Sequence, residues 1–254
     1  MRKYAILIGN DTLDISHYGG DFGLNAPIND LDIMKHICNI ENISYTKLYN
    51  TGSEQVNAEI YNLSKESVSG DFVLIYFSGH GTQIPHSNDG EDDEYSESWC
   101  LYDRCFIDNE INSLLGGFTS GVRVLLISDS CHSGSIAKIF PGLPSNINIK
   151  SVSGVYERNK GFYDGILRDV SPNVNLDASV ISITACQDYE VAKERAGYSD
   201  FTRSLDIAWN HGSFRQGYKE FVELIRNGLR SYGATPQLDQ LGFNDKNFLN
   251  SKPF

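Results

Sequence analysis

The chain lacks a surplus of positive charge. Its 254 residues carry 21 Lys and Arg against 33 Asp and Glu, a formal net charge of -12. Phosphate binding needs clustered cations, so neither nucleic acid nor a membrane is an expected partner. The chain also lacks an apolar run of membrane-spanning length. Its basic start leads into YAILIGN, with about five apolar residues, where a leader core needs roughly 7–15 and a span about 18 or more. That stretch reads as a first core strand instead. Cysteine is scarce: Cys38, Cys100, Cys105, Cys131 and Cys186 make an odd count of five. Without a secretion signal, reduced thiols in a cytoplasm are expected. No two cysteines have zinc-knuckle spacing, and Cys100 and Cys105 read as packing residues in a strand and turn. A P-loop is missing, and no Gly-x-Gly-x-x-Gly follows the first strand.

What is present is an alternation of apolar runs and helical patterns. Tyr4–Ile8, Phe72–Phe77, Val122–Ile127 and Val180–Thr184 are near-continuous apolar runs, as strands buried on both faces of a parallel sheet read. Residues 29–40, with Leu31, Met34, Ile37 and Cys38, have helical spacing after Pro27. Residues 53–67 repeat it, with Ser53 as the expected N-cap, and Phe201–Trp209 and Tyr218–Leu229 look helical too. Strands alternating with helices imply an α/β fold with a mostly parallel sheet and right-handed crossovers. No repeat or compositional break divides it, so one domain over residues 1–254 is expected. Two segments resist assignment. Residues 85–98 are acidic, with six Asp or Glu between Asp89 and Glu97. Residues 138–177 are rich in Gly, Pro, Asn and Ser and read as a long flexible loop, of the kind that is usually functional or mobile.

Two strands end in reactive residues. FVLIYF runs into Ser78-Gly79-His80-Gly81, and VLLIS into Asp129-Ser130-Cys131-His132. In open α/β sheets, ligands bind beyond the carboxyl ends of the strands. If these strands are neighbours, His80 and Cys131 meet at that edge. A nearby imidazolium draws a cysteine pKa from about 8.5 to roughly 3.5–7.5, and the same imidazole can protonate a leaving amine. The amides of Gly81 and Cys131 are candidate oxyanion donors. Singly, either residue reads equally as packing; the pairing at two strand ends is the signal. His132, adjacent to Cys131, points its side chain elsewhere, so His80 is the favoured acid–base.

SGHG followed about fifty residues later by DSCHSG resembles the metacaspases and caspase-like cysteine peptidases, in particular their short bacterial members. YAILIGN, APINDLDIM, ISITACQDYEVA and SDFTRSLDIAW resemble other segments of the same family. The resemblance implies a caspase-like three-layer α/β/α sandwich and a His–Cys dyad on His80 and Cys131. It also places Asp30, Ser78 and Asp129 around the side chain that precedes the cut bond. Two converging carboxylates select a cation and reject an acid, so cleavage after Arg or Lys is expected. By position alone, Asp30 also reads as a dipole-favoured helix acid and Asp129 as a turn-stabilising one.

Family members often need calcium, which the resemblance puts on Asp92, Asp93 and Asp108, hard oxygen ligands for a hard cation. The family's Asp-Asp pair reads Asp108-Asn109 here, and Lys138 stands where another acid is expected. A solvated acidic loop is the alternative. No cofactor is required for the chemistry itself. Lys138, Lys150, Arg158, Lys160 and Arg168 are candidate self-cleavage points in the long loop. The chain ends soon after the core, so a separate regulatory protein or an oligomer is the expected source of control. The competing expectation is a catalytically silent caspase-like scaffold; a different thiol hydrolase on a doubly wound sheet has no cofactor signature behind it.

Overall fold

Period-two burial organises the molecule. In the computed structural model, residues 1–85, 95–130, 147–150, 152–171, 173–187, 190 and 192–254 are described. Six strands form the central sheet: β1 (Lys3–Gly9), β2 (Ser44–Tyr49), β3 (Phe72–Ser78), β7 (Arg123–Asp129), β9 (Ser179–Thr184) and β12 (Gln237–Gly242). Their order is β12-β9-β7-β3-β1-β2, all parallel except β12, which runs antiparallel to β9. Because side chains alternate across a strand, Leu74 and Tyr76 enter one core while Val73, Ile75 and Phe77 enter the other.

The first face is covered by α2 (Ala26–Ile40), α7 (Asp200–Trp209), α8 (Tyr218–Leu229) and α9 (Lys246–Asn250) through residues such as Met34, Leu205, Trp209, Phe221 and Phe248. The second face is covered by α3 (Ser53–Glu66) and α4 (Asp108–Leu115) through Val56, Ile60 and Ile111. The expected three-layer sandwich is therefore present. The remaining elements sit around the carboxyl ends of the strands. They are α1 (Ile15–Tyr18), the meander β4 (Gly81–Pro85), β5 (Tyr95–Cys100) and β6 (Cys105–Ile107), and a three-stranded sheet of β8 (Ile147–Ile149), β10 (Lys193–Arg195) and β11 (Tyr198–Ser199). Two short helices, α5 (Val155–Arg158) and α6 (Lys160–Asp169), follow β8.

The structure changes three expectations. Residues 147–169 do not form a structureless loop: they hold β8, α5 and α6, with Val152, Val155 and Tyr163 buried in a third apolar cluster beside Tyr18 and Ile84. Residues 138–146 of that loop lie outside the described residues. Ser53 is the first helical residue of α3, not its N-cap, which is Gly52. The carboxylate of Asp103 does the capping from outside the helix, accepting from Ser53 N at 2.8 Å and from its hydroxyl at 2.8 Å. Asp30 lies in the second turn of α2, which begins four residues earlier at Ala26, so a dipole role at the helix start is not its main one.

Candidate active site

The site forms because β3 and β7 are neighbours in register. Ser78 pairs with Asp129 at their carboxyl ends, so the residues that follow each strand leave the sheet side by side. Cys131, two residues past Asp129, lies outside the described residues, as do Asp92 and Asp93. His80 is described and is 3% exposed. Gly79 before it tolerates no side chain: a Cβ there would meet the Phe77 ring at 2.7 Å and the Asn10 carbonyl oxygen at 3.2 Å.

The imidazole is held in one tautomer by its surroundings. Nε2 of His80 lies 2.6 Å from the carbonyl oxygen of Phe22. A carbonyl only accepts, so Nε2 carries the proton and Nδ1 is the basic nitrogen. Nδ1 is buried with no hydrogen-bond partner among the described residues. The Phe22 ring packs edge-on to the imidazole, centroids 6.1 Å apart. Burial pushes the His80 pKa down to about 4, opposed by the Phe22 carbonyl and reinforced by the charge of Lys150.

Asp30, Ser78 and Asp129 converge, and all three are fully buried. They do not surround an empty hole. Lys150, also fully buried, reaches in from the end of β8. Its Nζ lies 3.1 Å from Asp129 Oδ1 and 3.3 Å from Asp30 Oδ2, and it donates to Ser78 Oγ at 2.8 Å and the Asp129 carbonyl at 3.2 Å. The Ser78 hydroxyl passes its own proton on to Asp30 Oδ2 at 2.7 Å. The ammonium is thus coordinated on several sides, as a buried charge requires. Burial works against it, but Asp129 and Asp30 outweigh that and hold its pKa above the usual lysine value. Burial pushes Asp30 up to about 7, against the pull of Lys150.

The backbone of Lys150 is placed with equal definition. Its N–H donates to the Ala192 carbonyl and its own carbonyl accepts from Gly81 N, both at 3.0 Å. The residues before it run antiparallel to β10, with Asn148 opposite Glu194. An extended peptide on a strand edge, with one side chain in a pocket, is a recurring recognition mode.

The supporting residues escape sequence reasoning. Ser199, N-cap of α7, donates its N–H to Asp30 Oδ1 at 3.0 Å and its hydroxyl to Asp129 Oδ1 at 2.8 Å. Thr202 donates to Asp129 Oδ2 at 2.6 Å. Glu194, 2% exposed, caps the start of α2 from β10, accepting from Ala26 N at 2.7 Å and Asn25 N at 2.9 Å. Ser199 and Thr202 lie in SDFTRSLDIAW, which resembles the family, but nothing in it assigns them to the pocket acids; Ser199, just before an acid and an apolar run, carries only a local helix-start signal, and Glu194 carries none.

Asp108 is elsewhere. It begins α4 and lines a cavity with Glu97, Trp99, Ser128 and Asp239. Ser128 precedes Asp129 on β7, so this cavity opens on the opposite face of the sheet. Among the described residues no three His, Cys, Asp or Glu side chains gather as a metal site. Two of the three residues expected to hold calcium, Asp92 and Asp93, lie outside the described residues, and no chemical step is routed through a cation. Nor, among the described residues, is any helix long and apolar enough to cross a membrane.

Comparison with known proteins bears on the whole assembly. A family model described as "Caspase domain" matches residues 2–248. Metacaspase-4 of Arabidopsis thaliana is 29% identical over 151 residues, which is 54% of this chain and 34% of that protein. Metacaspase-1 of the same plant is 25% identical over 219 residues, 79% of this chain and 56% of that protein. This chain thus spans between a third and a little over half of those relatives' lengths. A crystal structure of a protein from Geobacter sulfurreducens is 31% identical, with a TM-score of 0.90 over 100% of this chain and 98% of that one.

Proposed function

The chain belongs to the caspase-domain family, and on that premise we propose that it is a cysteine endopeptidase cutting after Lys or Arg, with His80 and Cys131 as its dyad. The observation that carries the reading is Lys150, a basic side chain enclosed by Asp30, Ser78 and Asp129, with its carbonyl oxygen 3.0 Å from Gly81 N.

In this reading the Cys131 thiol gives its proton to Nδ1 of His80, the nitrogen left basic by the Phe22 carbonyl. The sulfur attacks the carbonyl carbon of the basic residue. Gly81 N–H stabilises the oxyanion, a donor worth roughly 2.7–4 kcal/mol where such groups have been removed. The imidazolium then protonates the leaving amine, and water hydrolyses the thioester. The pocket acids hold the substrate cation; Arg would pair with them bidentately. Substrates are then proteins or peptides with accessible basic residues. The self-processing bond is Lys150–Ser151, since Lys150 alone of the candidate cations among the described residues stands in the pocket. The residues that would hold a calcium ion are Asp92, Asp93 and Asp108.

The test uses fluorogenic peptides ending in Lys, Arg, Asn or Asp, with calcium and with chelator. Wild type should cut the Lys and Arg peptides, and Cys131→Ala and His80→Ala should lose that activity by about a thousandfold or more. Activity retained without Cys131 overturns the mechanism, and an inert wild type favours the silent scaffold. Indifference to chelator removes calcium from the account.

A further inference from the structure

The peptide chain is anchored on both sides of the Lys150–Ser151 bond, and both anchors are the same residue. Gly81 N donates to the Lys150 carbonyl at 3.0 Å, and the Gly81 carbonyl accepts from Val152 N at 3.1 Å. Beyond Val152, the strap made by residues 152–169 is clamped. Val152, Val155 and Tyr163 are buried in the third apolar cluster with Tyr18 and Ile84. The Tyr163 hydroxyl accepts from Cys105 N at 3.0 Å and lies 2.6 Å from Nε2 of His17. Asn159 Nδ2 donates to the His17 carbonyl at 2.9 Å.

Resting on the peptidase reading above, we propose that this strap retains the amine released from the Lys150–Ser151 bond, so that the site also forms peptide bonds, resealing its own chain until the strap is displaced. In the forward step a carbon–sulfur bond forms at the Lys150 carbonyl, the bond to the Ser151 nitrogen breaks, and that nitrogen takes the proton from His80. In the reverse step the amine lone pair attacks the thioester carbon, the carbon–sulfur bond breaks, and a proton returns through His80 to sulfur. Water competes for the same carbon and leaves a Lys150 carboxylate.

Magnitudes favour the amine while the strap stays docked. An α-amino group has a pKa near 7.7–8.0, so a sizeable fraction is unprotonated close to neutrality. Covalently it is one residue from an anchored Val152, and well-oriented intramolecular groups reach effective concentrations of about 10⁵–10⁸ M. The amine of a free substrate has no such tether and diffuses away. The enzyme then cuts its own chain reversibly, and cuts other chains irreversibly in the fraction whose Lys150 has left the pocket. Release is physically separable from folding, because the strap's cluster draws on α1 and the β4–β6 meander and on none of the six central strands. A partner polypeptide that peels the strap away would make the cut permanent.

The experiment follows the full-length chain with and without hydroxylamine, a small nucleophile that captures a thioester as a hydroxamate, using intact-mass spectrometry and peptide mapping with a Glu-specific protease. Wild type should stay mostly a single chain in buffer but split, with a Lys150 hydroxamate at the new end, when hydroxylamine is present; Cys131→Ala should stay whole in both. Tyr163→Ala, which loosens the strap, should raise the two-chain fraction about tenfold or more. Tyr163→Phe removes only the hydroxyl and should fall between them, which keeps the series informative if the alanine variant does not fold. Wild type that splits as fast as Tyr163→Ala overturns the inference, as does a strap variant that splits more slowly. So does a wild type that cuts Lys-ended peptides in solution but yields no Lys150 hydroxamate. If wild type cuts no basic-ended peptide at all, the peptidase reading falls and this inference falls with it.

Discussion

Gly81 donates its amide proton to the carbonyl oxygen of Lys150 at 3.0 Å. The same lysine's ammonium is enclosed by Asp30, Ser78 and Asp129. One residue therefore satisfies, at opposite ends, both a hydrogen-bond donor beside the candidate base and a buried acidic pocket. That coincidence links the mechanism to the specificity, and each consequence can be measured.

Replacing Lys150 with Met leaves two buried carboxyl groups without their cation. Removing one partner from a buried ion pair costs about 3–5 kcal/mol. Lys150→Met should therefore melt well below wild type at about pH 8, by thermal denaturation. Burial raises Asp30 and Lys150 is the charge that pulls it back, so without the lysine the carboxyl rises further, which fixes the sign of the pH effect. Below its raised pKa the carboxyl takes a proton and the unpaired charge is relieved, so the deficit should shrink at about pH 5. An equal deficit at both pH values contradicts the ion-pair assignment.

The same group predicts a pH profile for activity. Burial raises Asp30, to about 7 even with the Lys150 ammonium beside it pulling the other way, so a vacant pocket ionises as pH rises from neutrality upward, and an ionised pocket binds a cation better. KM for a Lys-ended peptide should fall across that range, with kcat changing less. Asp30→Asn should raise KM about tenfold or more and make it insensitive to pH there. Steady-state kinetics across the range checks both.

Glu194 ties peptide binding to the pocket. Its carboxylate caps the helix that carries Asp30, while its backbone pairs with the strand leading to Lys150. Glu194→Ala leaves buried N–H groups unsatisfied and should cost about 1–3 kcal/mol in chemical denaturation. Glu194→Gln keeps an acceptor and should recover part of this. Both should raise KM for Lys-ended peptides; an unchanged KM would separate the cap from the site.

Much of this arrangement was legible in the sequence, and the reasons for the rest are physical. Phe72–Phe77 and Val124–Ile127 are apolar throughout because they lie inside a covered parallel sheet, so the strand ends bearing His80 and Asp129 could be located. The edge strand Ser44–Tyr49 has mostly exposed or half-buried side chains and leaves no such trace. Phe22 acts through its backbone carbonyl, which any residue supplies. Lys150 stands 120 residues from Asp30 and 21 from Asp129, and no local pattern joins them. The strap read as a loop is built from two short helices, of which the first buries Val155 and Tyr156 and the second Tyr163, too few to set up a helical period. Asp30 and Asp129 were assigned to the pocket by family resemblance, because a helix acid and a turn acid look alike without it.

The most direct measurement compares kcat/KM for otherwise identical peptides ending in Lys and in Asp, on wild type and on Asp129→Asn. An acid-lined recess predicts a Lys preference of about a hundredfold or more in wild type, and a clear loss of it when that carboxylate becomes an amide. Faster cleavage after Asp, or a preference untouched by the substitution, would contradict the account at its root.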